Sequence, residues 1–256
     1  MAFLTSADGT SIAYQRDGSG PPVILIGGGL DDGSENASLA VELAEHFTVY
    51  NFARRGRGDS SDTSPYAVQR EIDDIAAIIA EAGGSAHVFG ASSGGMFALE
   101  AAAAGLPVGR IAVYEVPYDT ADDARQRARE YRARLGVALG EGRRADAVGL
   151  FMRLAGASDQ DVADAMSSPY WPGLKELAYT LAYDAALYGP PPTNRLAMIT
   201  QPVLVATGGN NDYFEQAADA VAACLADAER HVIEGQGHVV DPKVMAAVLT
   251  QFFTSS

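Results

Sequence analysis

Ser92 stands in Gly90-Ala91-Ser92-Ser93-Gly94, which fits the Gly-x-Ser-x-Gly pattern in which a serine rides a strained turn between strand and helix and its neighbours must be small. Val88 and Phe89 close a short apolar run before it, and Met96 to Ala104 is a run of mostly strong helix formers after it. The stretch therefore reads as strand, sharp turn, helix, with Ser92 as candidate nucleophile. Free backbone N–H groups and the positive end of the helix dipole favour negative charge developing there. A glycine-rich turn with a serine can also be a simple helix cap or a phosphate cradle. The phosphate patterns differ: neither Gly-x-x-x-x-Gly-Lys-Ser/Thr nor Gly-x-Gly-x-x-Gly is present.

A serine hydroxyl is a weak nucleophile at neutral pH, so it needs a base within hydrogen-bond reach and that base needs an orienting acid. Of the four histidines, His46 falls in a helix-to-strand turn, and His87 and His231 open strands, which are structural or surface positions. His238 differs: it follows the last strand in Glu234-Gly235-Gln236-Gly237-His238, a glycine-flanked loop at a strand's carboxyl end, where open α/β sheets place functional side chains. For the acid, the loop Gly208-Gly209-Asn210-Asn211-Asp212 offers Asp212 as its only carboxylate before the next helix. Asp212 would alternatively cap the helix at Phe214, and Glu115 and Asp119, which end an earlier strand, are rivals for the acid. Acyl transfer further needs donors aimed at an oxyanion. The Ser93 N–H is one candidate, and Gly27-Gly28-Gly29 supplies a second, with Gly29 preferred and Gly28 next.

These side chains require a scaffold that brings distant loops together. Phe3 to Thr5 and Ser11 to Arg16 read as a hairpin around Asp8-Gly9, and Val23 to Ile26 is a continuous β-branched run expected of a strand buried on both faces of a parallel sheet. Further strands are expected at Thr48 to Phe52, Arg110 to Tyr114, Pro202 to Thr207 and Arg230 to Ile233. Helices are expected at Ala37 to Glu45, from Ser64-Pro65 to Ala82, at Phe214 to Leu225 and at Pro242 to Phe253, while Arg54 to Ser60 reads as a polar loop. Between Asp119 and Gly189 the strand signal stops, and four helices are expected: Asp122 to Leu139, Asp146 to Leu154, Asp159 to Met166 and Leu174 to Leu187. The interleaved arginines of the first read as a solvated face rather than a binding patch. Strands alternating with helices predict an α/β fold, a mostly parallel central sheet with flanking helices, and a helical cap inserted before the acid-bearing strand. Residues 1–118 and 190–256 would form the core and 119–189 the cap.

Composition limits the partners. With 256 residues and 48% hydrophobic content the chain can bury a sizeable core, and a net charge of −15 argues against nucleic acid or an anionic membrane as partner. One cysteine excludes an intrachain disulfide, and no His/Cys cluster has metal-ligand spacing, so no metal and no cofactor are expected. The amino terminus shows neither a basic region nor a long apolar run, which makes the cytoplasm the default location. Oligomeric state, monomer or homodimer, is left open.

Together, the Gly-rich loop at Ile26 to Gly29, the Arg-Arg-Gly-Arg-Gly-Asp-Ser loop at Arg54 to Ser60, the elbow at Ser92, the late acid loop at Asp212 and Gln-Gly-His at His238 resemble the α/β-hydrolase fold superfamily over nearly the whole chain. The resemblance implies Ser92, Asp212 and His238 as a triad. Two departures stand out: the usual His-Gly of the oxyanion loop is Gly27-Gly28, and Ala53 replaces an aspartate common before the arginine. A serine nucleophile speaks against the dehalogenase and epoxide-hydrolase branches. Aromatic and Met residues of the cap, Tyr170, Trp171, Tyr179, Tyr183 and Tyr188 with Phe151, Met152 and Met166, suit a pocket for an apolar group, with Trp171, Tyr179, Tyr183 and Met152 preferred, or equally the cap's own core. The expected activity is hydrolysis of an ester, lactone or related acyl bond of a small, partly apolar substrate. Cofactor-free haloperoxidase or perhydrolase chemistry, C–C hydrolysis, acyl transfer, or a ligand-binding receptor with vestigial hydrolysis are the alternatives on the same constellation.

Overall fold

The computed structural model describes residues 1–255. Its strands are β1 (Ala2–Thr5), β2 (Ser11–Gly18), β3 (Pro22–Ile26), β4 (Thr48–Phe52), β5 (Ala86–Ala91), β6 (Val108–Tyr114), β7 (Val203–Thr207) and β8 (Ala228–Val232). They form one sheet in the order β1-β2-β4-β3-β5-β6-β7-β8. β1 and β2 form the expected antiparallel hairpin, and β2 also runs antiparallel to β4; every pairing from β4 through β8 is parallel.

The continuous apolar runs follow from this layering. Successive side chains of a strand point to opposite faces, so Ile24 and Ile26 enter the core on one side of the sheet while Val23 and Leu25 enter the core on the other. β7 divides likewise, with Val203 and Val205 on one face and Leu204 and Ala206 on the other.

The helices are α1 (Ala37–Leu43), α2 (Val68–Glu81), α3 (Ser93–Ala103), α4 (Ala124–Gly140), α5 (Arg144–Leu154), α6 (Asp159–Met166), α7 (Trp171–Leu177), α8 (Leu181–Ala185), α9 (Thr193–Leu196), α10 (Asp212–Ala222) and α11 (Pro242–Thr254). α1 and α11 cover one face through Leu39, Leu43, Met245 and Leu249, and α2, α3 and α10 cover the other through Ile75, Ile78, Phe97 and Val221. The segment α4 to α8 lies between β6 and β7 in the chain and gathers its own apolar cluster around Tyr131, Leu135, Val148, Trp171 and Leu181.

Three details depart from expectation. α2 starts at Val68, three residues past Ser64-Pro65, and α9 was not expected. The helix expected from Leu174 to Leu187 is broken into α7, a 3-10 turn at Ala178–Thr180 and α8. There the Thr180 hydroxyl donates to the Leu177 carbonyl at 2.8 Å, a local bond that competes with the helical ladder, and the Tyr179 hydroxyl is drawn to the Gly56 carbonyl at 2.6 Å.

The loop read as polar keeps its three guanidiniums in the interior, because each of them meets carboxylates. Arg54, Arg55 and Arg57 are all buried. Arg54 binds Glu71 through Nε and Nη2 at 2.6 and 2.8 Å, Arg55 binds Asp74 at 2.8 Å, and Arg54 and Arg57 converge on the two oxygens of Asp184 in α8 at 2.8 and 2.7 Å. Unpaired, any of these charges would be too costly to bury. Burial alone would raise the Asp184 carboxyl, and the Arg57 and Arg54 guanidiniums outweigh it and hold the group below its ordinary value of 3.8. A carboxylate that titrates lower folded than unfolded contributes stability that is complete above the unfolded value and is lost as the pH falls through the folded one. Asp184→Asn is therefore expected to destabilise the protein by about 3–5 kcal/mol at pH 7. The gap from wild type should shrink in denaturant titrations run below about pH 4.

Candidate active site

Ser92 sits between β5 and α3 at φ 52 and ψ −129, left-handed backbone that a non-glycine residue rarely adopts. Its N–H donates to the Tyr114 carbonyl at 2.8 Å and its carbonyl accepts from the Gly95 N–H at 3.0 Å, so the turn is fixed from both sides. The spacing of glycines around it is steric. A Cβ at Gly90 would lie 2.4 Å from the Gly94 carbonyl oxygen, and one at Gly94 would lie 2.2 Å from the Ile26 carbonyl oxygen. Both obstacles are backbone and cannot swing away. Gly94→Ala is expected to cost about 1–3 kcal/mol, read as a lower denaturation midpoint at unchanged slope.

His238 follows β8 in the loop Gly235 to His238, held by the Tyr114 hydroxyl donating to the Gly237 carbonyl at 2.6 Å. The imidazole stacks on Phe214 of α10, with ring centroids 4.9 Å apart and planes 9° from parallel. Its Nδ1 meets Glu115 Oε2 at 2.7 Å. Glu115 follows β6 directly, is buried, and accepts from the Gly208 N–H through Oε1 at 3.1 Å. A carboxylate on Nδ1 fixes the tautomer that leaves the Nε2 lone pair free.

The acid proposed from sequence is thus corrected: Glu115, not Asp212, partners His238. Asp212 is exposed on the first turn of α10, and the helix is capped by its neighbour Asn211, whose side chain accepts from the Tyr213 N–H at 3.0 Å. The other rival, Asp119, pairs with Arg127 at 3.4 Å. The signal for Glu115 was present as the last residue of a strand's carboxyl end next to the elbow strand. What the linear pattern lacks is that β6 lies between β5 and β7, from where Glu115 reaches the His238 imidazole past the end of β7.

Ser92, His238, Gly28 and Gly29 line one cavity of about 480 Å³. Among the described residues, the Ser92 hydroxyl and the N–H groups of Gly29 and Ser93 have no hydrogen-bond partner. Among the described residues, the non-glycine residues with positive φ are Leu30 at 61°, Ser92 at 52° and Glu115 at 46°. They follow β3, β5 and β6, adjacent in the sheet, so the backbone strain is gathered at this rim. Gly27, where the resemblance leads one to expect histidine, is filled from elsewhere: a Cβ there would stand 1.8 Å from Asp31 Oδ2.

Of the aromatic and Met residues expected to line the pocket, Phe151 and Tyr188 reach this cavity and the others, the preferred Trp171, Tyr179, Tyr183 and Met152 included, do not. Trp171 and Met152 belong to the apolar cluster of the helical segment, Tyr183 stacks on Tyr66 with centroids 3.9 Å apart, and Tyr179 borders a separate cleft that includes neither Ser92 nor His238. Helical periodicity marks such residues as inward-facing without telling which interior they face. Phe151 and Tyr188 share the apolar wall with Tyr131, Leu154, Tyr213 and Phe214. Burial pushes the three phenols up, Tyr213 to about 12, so they present neutral hydroxyls. The Tyr131 hydroxyl is buried without a partner among the described residues. Sequence reasoning also missed Glu35, on the same wall, whose carboxyl is raised by burial and by nearby Asp31. Arg127 and Arg153 complete the rim, so α4 does not present a wholly solvated face.

The sequence matches the alpha/beta hydrolase family over residues 23–248. The chain belongs to that family. This alpha/beta hydrolase is 46% identical to an alpha/beta hydrolase of Sphaerobacter thermophilus, whose crystal structure superposes with a TM-score of 0.91 over 99% of this chain and 100% of that one. An enol-lactonase of Burkholderia xenovorans (20% identity, TM-score 0.71, 99% and 100% covered) and a thermophilic esterase of Thermogutta terrifontis (19%, 0.69, 98% and 97%) share the fold. Among curated proteins, an uncharacterized hydrolase, YraK, of Bacillus subtilis is 35% identical over 96 residues, 36% of this chain and 35% of that protein. The alpha/beta hydrolase thus spans about a third of that relative's length in the match. No helix among the described residues is long and apolar enough to cross a membrane.

Proposed function

We propose that this alpha/beta hydrolase is a serine hydrolase that cleaves an ester, lactone or related acyl bond through an acyl-enzyme, using Ser92, His238 and Glu115. The observation that carries the reading is the buried Glu115 carboxylate on His238 Nδ1, in a cavity that His238 shares with Ser92. Ser92 Oγ attacks the carbonyl carbon while His238 Nε2 takes its proton, and Glu115 stabilises the imidazolium. The carbonyl electrons move onto oxygen, where the unpartnered N–H groups of Gly29 and Ser93 are available as donors. Collapse breaks the bond to the leaving oxygen, which receives the proton from Nε2. Water then repeats the sequence on the acyl-enzyme, releasing the acid and restoring Ser92. The apolar wall of the cavity favours a small, partly apolar substrate.

A panel of p-nitrophenyl esters and lactones of graded size, combined with a fluorophosphonate probe and peptide mass mapping, tests the reading. Hydrolysis with the probe's mass on the Ser92 peptide is the expected result. Activity with the label on another serine, or none on any, would reject it. Acyl transfer to an added alcohol, or peracid formation with peroxide, in preference to hydrolysis would keep the triad and change the reaction.

A further inference from the structure

We propose that Arg57, anchored by Asp184, is a positioning residue for the oxyanion loop: it holds the Gly28–Gly29 peptide so that the Gly29 N–H faces the acyl group. The inference rests on the serine-hydrolase reading above and concerns how this chain orients a loop that lacks the usual histidine.

Arg57 is 1% exposed, and among the described residues its guanidinium makes only two hydrogen bonds, Nη1 to the Gly28 carbonyl and Nη2 to Asp184 Oδ2 at 2.7 Å. In a planar trans peptide the C=O of one residue and the N–H of the next point in opposite directions. Fixing the Gly28 oxygen on the interior guanidinium therefore turns the Gly29 N–H away from it. That N–H has no partner among the described residues, and Gly29 lines the cavity with Ser92. Arg54 repeats the contact one residue earlier, its Nη1 reaching the Gly27 carbonyl at 3.4 Å while binding the other oxygen of Asp184 at 2.8 Å. One buried carboxylate thus braces two guanidiniums against two successive carbonyls of the loop.

The loop needs such bracing because it is Gly27-Gly28-Gly29, three residues with no side chains to hold them. At Gly29 a side chain would be crowded, since a Cβ would lie 3.0 Å from the Phe151 ring. A planar fork with fixed donor directions can hold a carbonyl and a carboxylate at once, which a single ammonium cannot match in geometry. Asp184 belongs to α8 of the helical segment, so the position of that segment is coupled to the oxyanion donors by direct bonds.

The test compares wild type with Arg57→Met, which leaves Asp184 paired with Arg54, and with Asp184→Asn, which keeps Arg57 but weakens its anchor. On the best ester of the panel, Arg57→Met is expected to lower kcat by about 10- to 100-fold with KM within about twofold, less than the 10²–10³ that follows outright removal of an oxyanion donor. Affinity for an aryl boronic acid, whose tetrahedral adduct on Ser92 places an anionic oxygen at the same donors, should fall by the same factor as kcat/KM. Asp184→Asn should shift both quantities in the same direction by a smaller factor. Parallel loss of kcat and boronate affinity in whichever variant remains folded supports the role. A lowered melting temperature with kcat and boronate affinity unchanged in a folded variant, or a change confined to KM, overturns it. If wild type binds no boronate and Ser92→Ala retains activity, the serine-hydrolase reading itself fails, an outcome distinct from loss of the Arg57 role alone.

Discussion

Ser92→Ala is expected to lower kcat for an activated ester by about a million-fold, to within the residual rate that binding and oxyanion donors give without a nucleophile. The size follows from what the residue does. Without Oγ no acyl-enzyme forms, and His238 can only assist a water that the cavity has no means of placing as well. The loss should appear in single-turnover measurements as the disappearance of the burst, with KM little changed, and fluorophosphonate labelling should vanish. Because triad members act as a unit, His238→Ala should cost a similar factor and the double variant little more. The Ala91-Ser92-Ser93 turn is held by its backbone bonds to Tyr114 and Gly95, so the alanine variant should keep the wild-type melting temperature to within about a degree or two. Retention of more than a few per cent of wild-type turnover would remove Ser92 from the mechanism.

The second large effect separates two carboxylates. Glu115→Gln is expected to lower kcat by about 10⁴-fold, while Asp212→Asn should leave it within about twofold. Glutamine keeps the shape of the side chain, but its amide carries no charge to stabilise the imidazolium. If its NH2 donates to Nδ1, the ring is left with its proton on Nε2, the wrong atom to accept from Ser92. Asp212 is exposed on a helix whose cap is Asn211, so its removal touches neither His238 nor the cavity wall. The two variants measured side by side decide the assignment. A crippled Asp212→Asn beside an active Glu115→Gln would restore the acid expected from the linear order and exclude Glu115.

The contrast between these carboxylates also marks where linear reading stops. The strand-turn-helix at Ser92 is dictated locally: small residues are compulsory because backbone crowds the turn, as at Gly94, 2.2 Å from Ile26 oxygen once a Cβ is imagined. Composition and spacing therefore carry that signal whatever the rest of the chain does. His238 is similarly marked by a glycine-flanked loop after the last strand. The two-sided burial of β3 and β7 is written in their uninterrupted apolar runs, because a central parallel strand meets apolar neighbours on both faces.

The partner of His238, the walls of the cavity and the fate of the Arg54 to Arg57 loop depend instead on which strands become neighbours and how helices dock. Glu115 follows β6 and Asp212 follows β7, and only Glu115, on left-handed backbone, has its carboxylate on the imidazole. Trp171 and Tyr183 carry the same apolar pattern as Tyr131 and Tyr188, yet only the latter pair face Ser92. Three arginines of a loop that reads only as polar are interior because Glu71, Asp74 and Asp184 come from other elements to meet them.

Sequence by itself determined the α/β class and the sheet's buried strands and marked the elbow serine and the loop histidine as candidates, since each rests on short-range sterics or on a periodicity carried along the chain. Tertiary structure alone brought Glu115 onto His238, set the walls of the cavity and built the buried guanidinium brace on the glycine loop, because those depend on contacts between residues as far apart as Arg57 and Asp184, whose meeting no local preference encodes.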